Sequence, residues 1–138
     1  MWRKSLLALS TFALAIGATT ATPAQAAAYP TSTFYTSYGN NVVKGKITWY
    51  NKSAYIEGTI KSASECRWAY VEFRNGRDSV GRWFYPACGG DSRSFSDKFD
   101  TPYAGGFTHA KVWIGNEVDG VRWNGDQCRR TSSTCWDL

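Results

Sequence analysis

The stretch Val42-Val43-Lys44-Gly45-Lys46-Ile47-Thr48-Trp49-Tyr50-Asn51-Lys52-Ser53-Ala54-Tyr55-Ile56-Glu57-Gly58-Thr59-Ile60-Lys61 alternates in character on both sides of Asn51-Lys52. A period of two is the mark of a strand with one buried face. Val43, Gly45, Ile47 and Trp49 share one face of the first arm, with Lys44, Lys46 and Thr48 on the other. In the second arm Ala54, Ile56, Gly58 and Ile60 oppose Tyr55, Glu57 and Thr59. Folding about Asn51-Lys52 sets Trp49 against Ala54, Ile47 against Ile56 and Val43 against Ile60. The same register brings Lys46 to Glu57 on the polar face. A slip of one residue would turn every apolar side chain to solvent, so the pattern predicts a β-hairpin in one register.

Working outward, the pattern repeats downstream. Cys66 to Arg74 reads as a strand, Asn75-Gly76 as a turn, and Val80 to Ala87 as the returning strand. A loop centred near Arg77 places Cys66 opposite Cys88 and Glu72 opposite Arg82. Opposed residues of an antiparallel pair lie within disulfide reach, which predicts a Cys66–Cys88 bridge. Cys128 and Cys135 then pair around the polar loop between them. Ser92 to Phe99 is a further strand with Phe95 and Phe99 on one side, ended by Thr101-Pro102-Tyr103-Ala104-Gly105-Gly106. Thr108 to Ile114 alternates again, and Asp119-Gly120 turns the chain into a last strand, Val121 to Cys128. No window shows helical periodicity. The expected fold is all-β, a small antiparallel sandwich of about seven to eight strands with two disulfides.

Upstream, residues 1–26 read as a signal peptide. Arg3 and Lys4 precede an apolar run from Leu6 to Gly17, and Ala24-Gln25-Ala26 has the small-x-small pattern of a cleavage site. The expected mature protein is secreted and extracellular, where thiols oxidise. Cleavage leaves about 112 residues, one domain's worth, and takes the net charge from +5 to +3 by removing two cations. No later apolar run is long enough for a membrane span. The remaining Lys and Arg are interspersed with acids, unlike the one-sided basic face of a nucleic-acid binder. Residues 27–41 form a β-prone segment outside both hairpins, with residues 42–138 as the sandwich domain. That segment reads either as an ordinary first strand or as an arm that adds to a protein partner, with Phe34, Tyr35 and Tyr38 as its large side chains.

Chemistry for catalysis is sparse. His109 is the sole histidine, no Gly-x-Ser-x-Gly elbow occurs, and each cysteine is assigned to a bridge. The cysteine spacings do not make zinc knuckles, and Gly-Asn-Glu-Val-Asp-Gly lacks the spacing of a calcium loop. A protein without enzymatic activity, metal or cofactor is expected. Aromatic residues are the compositional outlier. Six Trp remain beyond Trp2, with eight Tyr. Tyr55, Trp113 and Trp123 are candidates for stacking on sugar in a lectin-like module. A small secreted hydrolase inhibitor also fits the size, although no reactive-site loop stands out.

The runs Gly45-Lys46-Ile47-Thr48-Trp49-Tyr50-Asn51-Lys52-Ser53 and Ile56-Glu57-Gly58-Thr59-Ile60 are similar to small secreted actinobacterial β-sandwich proteins. Ala87-Cys88-Gly89 and the ending Cys128…Cys135-Trp136 extend the likeness. Among them the chain most resembles the small B-type subunit of the umbrella toxin particles of Streptomyces. The resemblance implies a non-enzymatic adaptor that joins a lectin-bearing subunit to the spokes of a large secreted complex. It carries over no individual contact residue.

Overall fold

The computed structural model describes residues 28–76 and 78–138. The signal-peptide reading of residues 1–26 lies outside the described residues. Nine strands follow one another: β1 (Thr31–Tyr38), β2 (Asn41–Trp49), β3 (Ser53–Lys61), β4 (Trp68–Asn75), β5 (Asp78–Trp83), β6 (Ser92–Asp100), β7 (His109–Asn116), β8 (Val121–Arg129) and β9 (Trp136–Asp137). They form two antiparallel sheets, ordered β1-β2-β3-β6 and β5-β4-β7-β8-β9. The expected all-β sandwich with two disulfides is the observed fold, and both bridges join the expected cysteines, Cys66–Cys88 and Cys128–Cys135.

The central hairpin adopts the register its alternation dictates. Trp49 pairs with Ala54, Ile47 with Ile56, Val43 with Ile60, and Lys46 Nζ sits 3.0 Å from Glu57 Oε1. Its apolar face lies against Val71 and Phe73 of β4 and Ala110, Val112 and Ile114 of β7 in one buried cluster. The rings of Trp49 and Phe73 meet edge to face at 5.9 Å. The two glycines of the hairpin make room for others. Phe34, Gly45, Gly58 and Phe95 form one row across four strands. A Cβ at Gly45 would stand 2.7 Å from the Phe34 ring, and one at Gly58 would stand 2.8 Å from Phe95. The two phenylalanines thus fill the space that the glycines leave.

The second hairpin corrects the sequence reading by one residue. Asn75 pairs with Asp78, and Glu72 faces Gly81, not Arg82. Glu72 instead forms an ion pair with Arg74 on its own strand and lies opposite Lys111 of β7. Arg82 crosses to Asp97 of β6, in the other sheet. The expected opposition of Cys66 and Cys88 nonetheless holds. Phe84 N–H still donates to Ala69 in the hairpin register, but Arg67 and Ala87 pair one residue later. The extra residue is inserted at Tyr85-Pro86, where proline cannot continue the ladder. Two offsets cancelled, so the bridge was foreseen from a register that the hairpin does not use.

The segment preceding Asn41 is a strand along its length. Eight residues of β1 pair with β2 through a two-residue Gly39-Asn40 turn, in which Gly39 takes φ 59°. That dipeptide is itself a hairpin signal. Of the two readings of residues 27–41, the first strand is the one observed for Thr31–Tyr38.

Candidate functional site

The outward backbone groups of β1 do not face open solvent. Thr33 N–H donates to Ser133 at 2.9 Å, and Thr33 C=O accepts from Cys135 N–H at 2.8 Å. Tyr35 N–H donates to Asp126 Oδ2 at 2.8 Å, and the amide of Asn124 donates to Ser37 C=O at 2.6 Å. β8 and the segment that follows it therefore run along the edge of β1, and the Cys128–Cys135 bridge pins that segment. Behind it, the Trp49 indole N–H donates to the buried Ser32 hydroxyl at 2.9 Å, and that hydroxyl reaches the Arg129 and Ser132 carbonyls. Strand addition at β1 is blocked by the chain's own C-terminal region.

Asp126 is the unusual residue of this seam. It is 3% exposed, its Oδ1 has no protein hydrogen-bond partner, and its opposite number on β9 is another carboxylate, Asp137. Burial holds the Asp126 carboxyl above its ordinary range. The Tyr35 N–H pulls the other way, and the charge and carboxyl of Asp137 push it up further. Nothing in the alternation of Val121–Cys128 singled this residue out, because Asp126 falls in step with Arg122 and Asn124, the polar set of the strand.

Where the pairing along the edge of β1 ends, a depression of about 460 Å3 opens between β1 and β8. Tyr35, Trp113, Trp123, Asn124 and Asp137 supply its aromatic and polar walls, with Leu138 at its side. A bulge builds one wall. The β7–β8 register steps between Ile114 and Gly115, leaving Trp123 without a partner across the ladder. Bulges re-aim side chains. Here Trp123 turns to β1 and stacks on Tyr38, centroids 4.7 Å apart and nearly parallel at 9°, with the Arg67 guanidinium over it at 4.8 Å. Arg122 meanwhile lies over Trp113 at 4.7 Å and Tyr70 at 5.0 Å on the outer face of the five-stranded sheet. Trp113 faces Gly125, where a Cβ would stand 2.5 Å from the indole. That glycine lets the Trp113 ring reach over β8 to the depression.

The sequence candidates divide accordingly. Trp113 and Trp123 line one depression. Tyr35, 58% exposed, lines it with them, and Tyr38 supports Trp123. Phe34 is corrected: at 3% exposure it is a core residue covering Gly45 and does not stand on the surface for a partner. Tyr55 lies in β3 of the other sheet, beside Lys98, away from the two tryptophans. A wider depression of about 590 Å3 on that sheet is lined by the Lys46–Glu57 pair, serines, the half-buried Tyr55 and the buried Phe95. His109 bonds to Thr108 through its ring nitrogen at 2.8 Å. Among the described residues no group of three His, Cys, Asp or Glu side chains converges as a metal site, and no helix is long and apolar enough to cross a membrane.

Fold and site together define a two-disulfide, all-β sandwich with one self-sealed flank and a tryptophan-lined seam. Comparison with protein-family models, with curated proteins and with solved structures finds no match.

Proposed function

We propose that this chain is a secreted binding module without catalytic activity, and that it holds a carbohydrate in the seam between β1 and β8. The observation that carries this reading is the convergence of Trp113 and Trp123 with Tyr35, Asn124 and Asp137 around one depression. Sugars present C–H faces to aromatic rings and hydroxyls to amides and carboxylates, and this lining offers both. The two disulfides are compatible with an extracellular site of action. The test is titration of the mature protein with soluble chitin, glucan and teichoic-acid fragments, followed by tryptophan fluorescence. Binding is expected to shift the emission, and Trp113→Ala is expected to abolish the shift while leaving the melting transition cooperative. An unchanged spectrum across the panel would count against the reading.

A second reading is an adaptor subunit of a secreted assembly, of the kind that the resemblance to umbrella-type toxin subunits implies. The observation in its favour is the opposite flank, where β5 and β6 end the two sheets with one ion pair, Arg82–Asp97, between them. Affinity purification of the tagged mature protein from culture medium, followed by mass spectrometry, separates the two readings. Recovery of the protein alone at native expression would remove the adaptor.

A further inference from the structure

Four strands end the sheets, and β5 is the one that sets open outward backbone groups between charges of opposite sign, Asp78 beside the Tyr103 hydroxyl and Arg82. The edge of β1 is occupied by the C-terminal segment, and β9 has two residues. The edge of β6 carries Arg93, Lys98 and Asp100, and the outward N–H of Lys98 donates to Asp97 Oδ1 at 2.8 Å. Such charges are how natural sheets discourage pairing. In β5, Phe84 N–H donates to Ala69. Alternation along the ladder then turns Asp78, Val80 and Arg82 toward β4, and the backbone groups of Ser79, Gly81 and Trp83 outward. Among the described residues no hydrogen bond reaches the outward groups of Ser79 or Gly81. Asp78 to Arg82 are all exposed, Val80 to 39%, with no proline and no register shift among them.

We propose that β5 pairs antiparallel with β5 of a second copy about a two-fold axis at Val80. The segment Asp78-Ser79-Val80-Gly81-Arg82 is its own complement. In this register Ser79 exchanges backbone hydrogen bonds with Gly81 of the second copy, Val80 meets Val80, and Asp78 lies opposite Arg82 twice. Centring the pair on Gly81 instead would set Arg82 against Val80 and leave both charges unmatched, so charge selects the register. A two-fold contact of this kind uses one patch twice and closes on itself. Arg82 keeps Asp97 within reach on its own copy, so the guanidinium would serve a carboxylate from each side.

Sedimentation velocity of the disulfide-intact mature protein, over a wide concentration range, tests this pairing. The unaltered chain is expected to show a reversible monomer–dimer equilibrium. Asp78→Lys and Arg82→Glu each set like charges against each other and are expected to weaken it roughly tenfold or more. An equimolar mixture of the two variants is expected to recover a one-to-one dimer, because the introduced lysine then faces the introduced glutamate. Ser79→Pro, which removes an outward N–H at an edge position that tolerates proline, is expected to abolish dimerisation with cooperative melting retained. A chain that stays monomeric throughout overturns the proposal. So does a dimer indifferent to both charge variants, or a mixture that fails to re-associate. Carbohydrate titration of the same samples reports on the seam separately, since β5 contributes no residue to it.

Discussion

Both flanks of this sandwich end in sheet edges, and the chain treats them in opposite ways. On one flank both outward groups of Thr33, the N–H of Tyr35 and the C=O of Ser37 are taken, by backbone from Ser133 and Cys135 and by the side chains of Asp126 and Asn124. On the other, the Arg82–Asp97 ion pair spans the sheets, and among the described residues no hydrogen bond reaches the outward groups of Ser79 and Gly81 in β5. The sealed flank buries polar groups, so each needs a partner or carries a penalty. The open flank leaves them to water, where an added contact contributes little. The same seal also makes the seam. Where the pairing along β1 stops, the chain leaves a depression walled by tryptophan.

Removal of β1 undoes the sealed flank most completely. Deleting residues 28–39 strips Phe34 from Gly45, takes Ser32 from the Trp49 indole and bares the edge of β2. Loss of cooperative melting is expected, measured by calorimetry. A truncated protein that still melts in one sharp transition would show that β1 is an appendage after all.

Cys128→Ala with Cys135→Ala loosens the seal without removing a strand. The bridge closes a loop of seven residues' separation, and chain entropy assigns a loop that short about 2–3 kcal/mol. The protein is expected to stay folded with a lower midpoint in urea. Hydrogen exchange at the Thr33 and Cys135 amides should rise more than exchange in β4 or β7. Uniform loss of protection would mean that the two flanks are one cooperative unit.

How far these features could be read in advance follows from what each depends on. The hairpin of β2 and β3 was legible because both of its faces constrain one register. The second hairpin was not, since Glu72 and Arg82 look like partners in sequence. Glu72 found Arg74, two residues along its own strand, and Arg82 found Asp97, which only the folded sheets bring near. Phe34 carries the large aromatic side chain of a contact residue, yet its burial depends on Gly45 across the ladder in β2. The Gly39-Asn40 turn was in plain view. The seam was half legible. Trp113 and Trp123 stood out as rings, but their convergence rests on a bulge and on Gly125, and a bulge has no period to read. Asp126 was hidden, because its role is to satisfy a strand ninety residues earlier in the chain.

Asp126 makes the sealed flank sensitive to pH. Burial first, then Asp137, raise the carboxyl of Asp126 in the folded chain above the 3.8 that it has when unfolded. The folded state therefore holds the proton more tightly. The stability from this group is complete below the unfolded value and is lost as pH rises through the folded one. Asp126→Asn keeps an acceptor for the Tyr35 N–H and turns a donor toward Asp137. It is expected to raise stability at neutral pH by on the order of 1 kcal/mol, and to flatten the decline between acid and neutral pH. Urea titrations at several pH values check both. A variant less stable than the parent at pH 7 would show that the ionised form is the one the seam was built to hold.

The open flank supplies the smallest effect. Arg82 and Asp97 are the sole ion pair across the sheets among the described residues, and the Arg82 side chain is more than half exposed. The guanidinium also lies over the Phe99 ring at 5.4 Å. Its Asp97 partner is 26% exposed with Oδ2 buried, so Arg82→Ala should cost about 1 kcal/mol and lose part of that effect in high salt. The contrast with Asp126 is the point of the measurement. Both residues bridge the two sheets, but Arg82 does so from a side chain more than half exposed and Asp126 from one that is buried. A cost at Arg82 that equals the loss of the Cys128–Cys135 bridge would mean that the second flank is also sealed, through contacts that its exposed side chains do not reveal.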